Sequence, residues 1–291
     1  RAMKPARFAY YRPESAAEAL QVLAEFGDEA KVLAGGQSLV AAMNMRLARP
    51  ERLVDINRIG QDGVWIEGDD LVVNTLTRQA DVERDALVTE RVPLLARALP
   101  FVGHWQTRSR GTVCGSLAHA DPSAELPVVA TALRASLRCV STRGSRRVDA
   151  DAFFLSHFTT ALEPGELLAQ IAFPLRRPRE GYAFEEFAER HGDYAIASAA
   201  CALRLRDDHS VEELRIVLGG VDERPFVVAA DDVAGRALDD GAIETLAARA
   251  GSDIDPIGDL RGTADYRRNL ATTLARRALR AASLDAHKER S

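Results

Sequence analysis

The sequence Ala34-Gly35-Gly36-Gln37-Ser38 places two glycines between an apolar run and a segment with helical spacing. The run before it, residues 30–34, predicts a strand. Ser38 is placed to cap a helix from Leu39 to about Leu47, which Pro50 ends. Backbone amides in a tight strand-to-helix turn can converge on an anion, and a pyrophosphate suits that geometry. The alternative is a plain turn followed by a capped helix.

The elements around this turn extend a regular pattern to about residue 60. Ser15 and Glu18 form a capping box, and apolar residues then recur at helical spacing until Gly27. This predicts a helix over residues 15–26, and residues 53–56 predict a second strand. The first sixty residues are therefore predicted to form an α-β-α-β unit whose glycine turn connects a strand to a helix.

From about residue 60 the pattern becomes that of antiparallel strands. Residues 64–67 and 71–75 flank Gly68-Asp69-Asp70, which indicates a hairpin. A polar, proline-broken connection at residues 175–181 is the predicted domain boundary. The other predicted elements are helices near 92–99, 127–133, 239–250 and 264–284, and strands at 136–141, 165–174, 183–189, 195–206 and 215–221.

A second segment, residues 106–127, is predicted to be a loop that faces a ligand. Between Arg110 and Pro127 it crowds glycine, threonine, serine and acidic residues among small apolar ones. Small side chains allow a close approach of the backbone to a ligand, and four of them lie here: Gly111, Gly115, Ala118 and Ala120. The alternative, a solvated loop, does not explain why these side chains are small.

The composition excludes several classes of function. The 291 residues carry a net charge of -5, so there is no overall basic field to attract nucleic acid. No two glycines are separated by one residue, which excludes the GxGxxG dinucleotide fingerprint, and no P-loop, HExxH, GxSxG or CxxC motif is present. The six histidines lack metal-ligand spacing, and we predict no metal site in this chain.

Cysteine usage and hydropathy indicate the compartment. The three cysteines, Cys114, Cys139 and Cys201, leave one unpaired in any disulfide scheme, which is typical of a reducing environment. No apolar run approaches the roughly 20 residues of a membrane span, and Met3 is followed by Lys4-Pro5-Ala6-Arg7 rather than a signal-peptide core. We therefore expect a cytoplasmic protein without a membrane span.

Four landmarks in order resemble one known family over nearly the whole chain. They are the opening at residues 3–13, the turn at 34–38, the segment Gly111-Thr-Val-Cys-Gly115 with Ala118–Pro127, and His191–Ser198; residues 265–268 resemble the start of the final helix. Together they closely resemble the FAD-binding medium subunit of the molybdenum hydroxylases. This group includes carbon monoxide dehydrogenase, xanthine dehydrogenase and quinoline oxidoreductase.

The resemblance implies an α+β fold with two domains. Residues 1–176 would form a two-subdomain FAD-binding domain of the vanillyl-alcohol-oxidase (PCMH) type. Its N-terminal α/β subdomain would cover residues 1–58 and its second subdomain residues 59–176. Residues 177–291 would form a C-terminal domain of the CO dehydrogenase flavoprotein type, with an antiparallel sheet and helices.

The resemblance also assigns cofactor-binding residues position by position. The FAD pyrophosphate would be held by Val32, Leu33, Ala34, Gly35, Gly36, Gln37, Ser38 and Leu39, and the second flavin-contacting segment would be Thr112, Val113, Cys114, Gly115 and Ser116. Glu125 matches an acidic position that hydrogen-bonds the cofactor, and Asp121 lies in the same segment. Leu168 falls on the adenine side, Ser198 near the flavin ring, and Tyr194 at an aromatic position close to the isoalloxazine.

Cys114 departs from the family pattern. The family usually has Thr-Ile-Gly-Gly-Asn where this chain has Thr112-Val-Cys-Gly-Ser116. Because a cysteine at positive φ would cost of order 1 kcal/mol, we expect ordinary backbone angles at residue 114. The backbone amide remains a donor, and with no identifiable partner base the thiol is expected to be incidental.

The function implied by the resemblance is electron transfer. A molybdopterin subunit would oxidise the substrate, and electrons would pass through iron-sulfur clusters of a small subunit to FAD in this chain and then to an external acceptor. The expected assembly is a dimer of heterotrimers, and no catalytic acid or base is predicted in this chain. Two alternatives remain open: a stand-alone FAD-dependent oxidase or reductase of the same superfold, and a non-enzymatic subunit that has lost FAD.

Overall fold

The computed structural model describes residues 4–288, over which helices and sheets are mixed along the chain. The described strands form a three-stranded, a five-stranded and a four-stranded sheet and one two-stranded hairpin. Met3, which begins the first landmark, lies outside the described residues. No helix within residues 4–288 is long and apolar enough to cross a membrane.

The first unit is a small parallel sheet with helices in its connections. Its elements are β1 (Ala9–Tyr11), α1 (Ala16–Phe26), β2 (Ala30–Leu33), α2 (Leu39–Asn44) and β3 (Arg52–Asp55). The sheet has the order β1-β3-β2, and both strand pairs are parallel. The predicted α-β-α-β order is confirmed from α1 to β3. The strand β1 was not predicted, because three residues are too few to show a periodic pattern.

The caps of α1 are those that the sequence predicts. Ser15 Oγ accepts a hydrogen bond from the Glu18 amide at 3.2 Å, and the Glu18 carboxylate accepts one from the Glu14 amide at 2.8 Å. Gly27, with φ of +49°, follows the last helical residue. The buried face of α1 then packs on the hydrophobic side of β3.

The helix α2 is shorter than predicted. It ends at Asn44 rather than near Leu47, and Ser38 makes no side-chain capping bond. Arg46 adopts a left-handed backbone with φ of +60°. The amides of Leu47 and Ala48 both donate to the Ala42 carbonyl, at 2.9 and 3.2 Å. These bonds close the helix at Asn44, six residues before Pro50, which the sequence suggested as its end.

The second unit is built on a five-stranded antiparallel sheet. Its elements are β4 (Val64–Glu67), β5 (Asp70–Asn74), α3 (Gln79–Arg84), α4 (Ala86–Arg91), α5 (Pro93–Ala98), α6 (Trp105–Arg108), α7 (Val113–His119), α8 (Glu125–Ala132), β6 (Ser136–Ser141), β7 (Gly144–Asp149), α9 (Ala150–Phe153), β8 (Phe154–Ser156), β9 (Thr159–Thr160) and β10 (Leu167–Pro174). The sheet has the order β4-β5-β10-β6-β7. The hairpin predicted around Gly68 is confirmed as β4 and β5. Its inward-facing residues lie in the largest hydrophobic core cluster, together with residues of α7 and α8.

The predicted loop at residues 106–127 was wrong in its secondary structure. It contains the end of α6, all of α7 and the start of α8. Thr112 caps α7 with its side chain. Pro127 lies in the first turn of α8, where a missing amide hydrogen leaves no helical bond unmade. The small residues that suggested a loop instead allow these short helices to pack closely.

The third unit is a four-stranded antiparallel sheet covered by two helices. Its elements are β11 (Glu180–Phe187), β12 (Ala197–Leu205), β13 (Val211–Gly219), β14 (Phe226–Val228), α10 (Asp240–Ser252) and α11 (Ala264–Lys288). The sheet has the order β11-β12-β13-β14. The three predicted strands are confirmed with shifted ends, while β14 was not predicted. Residues of α11 and of the inner sheet face form the second large core cluster.

Contacts between the second and third units fix the region that holds the site. The Gly220 amide donates to the Pro122 carbonyl at 2.8 Å, which ties the end of β13 to the segment before α8. Farther away, Arg97 donates to both carboxylate oxygens of Asp285 at 2.9 Å. Bidentate pairs of this kind hold two elements in one orientation.

Candidate functional site

The glycine turn at residues 34–38 lies against the second glycine-bearing segment. A Cβ atom added to Gly35 would lie 2.7 Å from Gly111 Cα and 2.9 Å from the Arg110 carbonyl carbon, and closer still to its oxygen. Real Cβ atoms essentially never approach backbone this closely. Only glycine fits at residue 35, and the two segments form one site.

Successive backbone amides of this turn are free to bind a ligand. Within residues 4–288, the amides of residues 35–39 have no hydrogen-bond acceptor, and the Val40 amide is the first that does, bonding to the Gly36 carbonyl at 3.1 Å. Gly36 has φ of +73°, a left-handed conformation of the kind that makes anion-binding concavities from consecutive amides. The turn therefore offers an anion a row of uncommitted donors.

Asn57 and Arg78 connect the two segments. Asn57 follows β3, and its Nδ2 donates to the Ala34 carbonyl at 2.8 Å. Arg78 donates to the Arg110 carbonyl and to Asn57 Oδ1, both at 2.6 Å. One pair of side chains thus holds the carbonyls on both sides of the contact between Gly35 and residue 111.

Asp55 orients Asn57. Its Oδ1 accepts from the backbone amide and from Nδ2 of Asn57, at 3.0 and 2.6 Å, and its Oδ2 accepts from the Tyr10 hydroxyl. Burial by itself would raise the pKa of Asp55, but the hydrogen bonds from Tyr10 and Asn57 outweigh burial and lower the pKa below its usual value. The carboxylate stays charged and keeps Asn57 directed at the turn.

The second segment contains a buried acceptor that lacks a partner. Thr112 Oγ1 accepts from the Gly115 amide at 3.0 Å and caps α7. A Cβ added to Gly111 would lie 2.7 Å from Gln79 Oε1. Gln79 is 4% exposed, and this oxygen has no hydrogen-bond partner among the described residues. Such an atom is expected where a ligand or water completes the hydrogen bonding.

Cys114 has an ordinary backbone and an inert thiol. It lies in the first turn of α7 and not at positive φ, which confirms the expectation from its sequence. The side chain is buried, with Sγ 3.9 Å from the Val73 carbonyl oxygen. Burial raises the pKa of the thiol to about 12, so it is protonated at neutral pH. Its amide has no acceptor among residues 4–288 and is available to a ligand.

Tyr194 brings the fourth landmark, residues 191–198, to the turn. Its side chain lies close to that of Ser38, and burial together with the nearby carboxyl groups of Asp121 and Glu125 raises the pKa of its phenol. Arg267, from α11, donates to the Gly220 carbonyl at 2.7 Å and to the Ile196 carbonyl at 2.5 Å, and so secures the chain that follows Tyr194. Tyr194 is 46% exposed, so its ring remains accessible.

Buried polar groups form the wall beside Tyr194. Glu125 begins α8 and is 5% exposed; burial raises its pKa to about 7, with Asp121 acting in the same direction and Arg108 against it. Asp121 shapes the turn before α8, because its Oδ1 accepts from the Ser123 amide at 2.9 Å. Ser198 is 1% exposed, and its Oγ has no partner among the described residues.

The structure brings most of the predicted residues to one place. Val32 and Leu33 end β2 beside β3, Leu39 begins α2, and Val113 and Ser116 lie in α7. Leu168 lies apart, in the core of β10 at a strand irregularity, with 2% of its surface exposed. Its buried side chain cannot contact a ligand. Its predicted role on the adenine side of FAD stays a prediction and would have to involve its backbone.

Several residues of the site were missed by sequence reasoning. They are Asn57, Arg78, Gln79, Glu186 and Arg267. A signal existed for Asn57, because polar residues at the carboxyl end of a parallel strand commonly face a site. Arg267 belongs to residues 265–268, which resemble the start of the family's final helix, but the resemblance assigns it no role. Arg78, Gln79 and Glu186 act through contacts that are distant in sequence and leave no local pattern.

Two protein families match this chain. The family described as "FAD binding domain in molybdopterin dehydrogenase" matches residues 6–176. The family described as "CO dehydrogenase flavoprotein C-terminal domain" matches residues 182–282.

Individual proteins are similar over almost the full length. The 6-hydroxypseudooxynicotine dehydrogenase complex subunit alpha of Paenarthrobacter nicotinovorans is 38% identical over 280 residues, which is 95% of each chain. A carbon monoxide dehydrogenase structure from Hydrogenophaga pseudoflava superposes with a TM-score of 0.93 at 36% identity, over 97% of this chain and 99% of that one. Quinoline 2-oxidoreductase from Pseudomonas putida 86 gives a TM-score of 0.90 at 35% identity with the same coverage.

Proposed function

Since this chain belongs to the family of FAD-binding subunits of molybdopterin dehydrogenases, we propose that it is the flavoprotein subunit of a multi-subunit molybdenum hydroxylase. It carries FAD and passes electrons from iron-sulfur clusters of a partner subunit to an external acceptor. When bound, FAD supplies the redox chemistry, because flavins accept and release electrons in one- and two-electron steps. The residues of this chain bind and orient the cofactor.

The row of free amides at residues 35–39 carries the assignment of the pyrophosphate. These amides match a doubly charged anion without a lysine, and no lysine lies between Lys31 and Lys288. The residues present fit the cofactor, because the close contact at Gly35 leaves the turn held in place while its donors remain uncommitted. We assign residues 32–39 to the pyrophosphate.

The second segment and the wall beside Tyr194 suit the ring end of the cofactor. The free Cys114 amide and the unpartnered Gln79 oxygen supply one donor and one acceptor. The wall beside Tyr194 adds the accessible ring of that residue, Asp121, Glu125 and the unpartnered Ser198 hydroxyl. We assign residues 112–116 and this wall to the flavin, and Leu168 to the adenine side through its backbone.

The finer organisation follows the same proposal. We propose that residues 1–176 are a PCMH-type domain with subdomains at 1–58 and 59–176, and that residues 177–291 are the C-terminal domain. The separate sheets of the three described units support this division. We also propose a dimer of heterotrimers, in which a small iron-sulfur subunit and a large molybdopterin subunit accompany each flavoprotein chain. The relatives named as complex subunits support a multi-subunit assembly.

FAD should stabilise the flavin-free chain. At a concentration of about 100 times Kd, a ligand adds about 2.7 kcal/mol, which for a chain of this size corresponds to a Tm increase of about 5–10 °C. Riboflavin, which lacks the pyrophosphate, should raise Tm much less, because it leaves the amides of residues 35–39 unpaired. Thermal melts with each ligand measure this effect. Equal shifts for FAD and riboflavin would contradict the pyrophosphate assignment, and no shift with FAD would contradict the proposed function.

Cys114→Gly should retain FAD and keep flavin reduction within a few-fold of the original chain. The substitution preserves the amide at residue 114, but a helical glycine should lower the free energy of unfolding by about 1 kcal/mol. Flavin absorbance, reduction by an artificial donor and Tm check these outcomes. Cys201→Ala, which changes a buried cysteine of the third unit, is the matched control. Loss of electron transfer in Cys114→Gly alone would show that the sulfur has a role.

A further inference from the structure

Glu186, Ser198 and Gly219 lie in one row across three strands. Glu186 of β11 is paired with Ser198 of β12, and Ser198 is paired with Gly219 of β13, both in antiparallel register. Residues directly opposite each other in such a sheet point to the same face. The Glu186 carboxyl and the Ser198 hydroxyl therefore share a face, to which Gly219 adds no side chain.

The start of α8 covers this row. A Cβ added to Gly219 would lie 2.6 Å from Ser198 Oγ and 2.5 Å from Val128 Cγ2, so Val128 packs directly over the row. Glu125 precedes Val128 by three residues and lies on the same side of α8. The Glu125 carboxyl thus approaches the row from the helix, and the charge of Glu125 acts on Glu186.

The polar atoms of this cluster are buried and incompletely bonded. Glu186 Oε2 and Ser198 Oγ have no hydrogen-bond partner among residues 4–288, although Ser198 is 1% exposed and Glu125 5%. Leaving a buried polar atom unpaired costs about 1–3 kcal/mol. Two such atoms on one face, at the wall beside Tyr194, indicate that a bound group completes their hydrogen bonding.

Burial disfavours the charged forms of the Glu186 and Glu125 carboxyl groups. Burial, and then the neighbouring charge of Glu125, raise the pKa of Glu186 from its ordinary 4.5 to about 9. Burial also raises the pKa of Glu125 to about 7. Between about pH 7 and about pH 9, two carboxyl groups with these pKa values hold one proton between them.

We propose that Glu186 and Glu125 together hold one proton, which resides on Glu186, and that the neutral Glu186 carboxyl donates a hydrogen bond, beside the Ser198 hydroxyl, to an uncharged polar group of the bound flavin. This inference rests on the proposed function. Glu186 is a binding residue for the cofactor under this assignment. It makes FAD affinity depend on the proton of the pair, because the ionised pair can neither donate this bond nor avoid repulsion between its two charges.

The sign of the pH dependence follows from the raised pKa of Glu186. Between the ordinary glutamate pKa of 4.5 and about 9, the folded chain keeps this proton while the unfolded chain has lost it, so folding stability falls across that range. FAD affinity depends on the protonated carboxyl and therefore falls as pH rises above about 9. Other groups that act on the pair are Asp121, Tyr194 and Arg108. They are common to every variant below, so differences between variants report on the pair.

The test compares Glu186→Gln with Glu185→Gln in the purified flavoprotein. Glu185 is adjacent but points to the opposite face of β11, where it is paired with Ala199. FAD affinity is measured by flavin fluorescence from pH 8 to pH 10. The original chain and Glu185→Gln should lose affinity about tenfold over this range. Glu186→Gln, which keeps a donor that cannot ionise, should show no such loss beyond the titration of the flavin itself.

Glu125→Gln provides a second, independent variant. Removing its charge lowers the pKa of Glu186, so the loss of affinity should persist but move to lower pH, a shift that a merely structural role would not produce. An unchanged pH profile in Glu186→Gln would overturn the shared proton while leaving the FAD assignment intact. Failure of the original chain to bind FAD at any pH would instead overturn the proposed function.

Discussion

Gly35→Ala should remove FAD from an otherwise folded protein. The added methyl group would lie 2.7 Å from Gly111 Cα and 2.9 Å from the Arg110 carbonyl carbon. Both neighbours are backbone atoms, so no side-chain rotation relieves the overlap. The turn must move away from the second segment, and its row of amides moves with it.

Gly35→Ala should weaken FAD binding more than it lowers the free energy of unfolding. Overpacking of this kind costs about 1–3 kcal/mol, which corresponds to roughly 5- to 160-fold weaker binding if the site alone absorbs it. The hydrogen bonds of Asn57 and Arg78 to the two segments would stretch, but the three sheets lie outside the contact. The far-ultraviolet circular dichroism should therefore be unchanged while the purified protein is colourless.

Gly241→Ala is the matched control. Gly241 lies in the first turn of α10, far from the turn in sequence, and an added Cβ would meet only Asp239 Oδ1 at an ordinary 3.4 Å. Full flavin occupancy is expected in this variant. If Gly35→Ala also keeps its full flavin content and affinity, the pyrophosphate is not held where the two segments meet.

The sequence indicates this site better than it indicates the elements that build it. Ala34–Ser38 and Gly111–Gly115 attract notice because glycine pairs and small residues have few uses other than tight turns and close approach. Their contact with each other has no local signature, since it depends on Gly35 meeting the backbone of a segment that follows some 75 residues later. The family resemblance supplied that connection, and the geometry supplies its physical reason.

The errors arise where packing overrides local pattern. Residues 106–127 were expected to be a loop because they contain many small and polar residues, yet α7 and α8 form there, with Thr112 as a cap and hydrophobic residues such as Leu117 and Leu126 in the core. Glu186 was overlooked for a related reason. In sequence it is one acid of the pair Glu185-Glu186, and only the strand pairing shows that one of them faces the buried row.

The isolated chain should not oxidise any hydroxylase substrate. Protein-bound iron-sulfur clusters are typically held by four cysteine thiolates, and this chain has three cysteines in all. Cys114, Cys139 and Cys201 are all buried and lie in α7, β6 and β12. They are therefore single core residues, and electrons from a molybdenum centre must reach this chain through clusters carried by a partner.

The isolated chain and the assembled complex should differ in their metal content and in their turnover of substrate. The chain purified alone should contain FAD that artificial donors reduce, with no turnover of aldehydes, nitrogen heterocycles or carbon monoxide. Co-expression with an iron-sulfur and a molybdopterin subunit should give a complex that contains iron, molybdenum and FAD. Gly35→Ala within that complex separates the two roles, because substrate should still reduce the clusters while transfer to the external acceptor stops. Steady turnover by the metal-free chain would contradict the electron-transfer function and favour a stand-alone oxidase, because the flavin would then be the site of substrate oxidation.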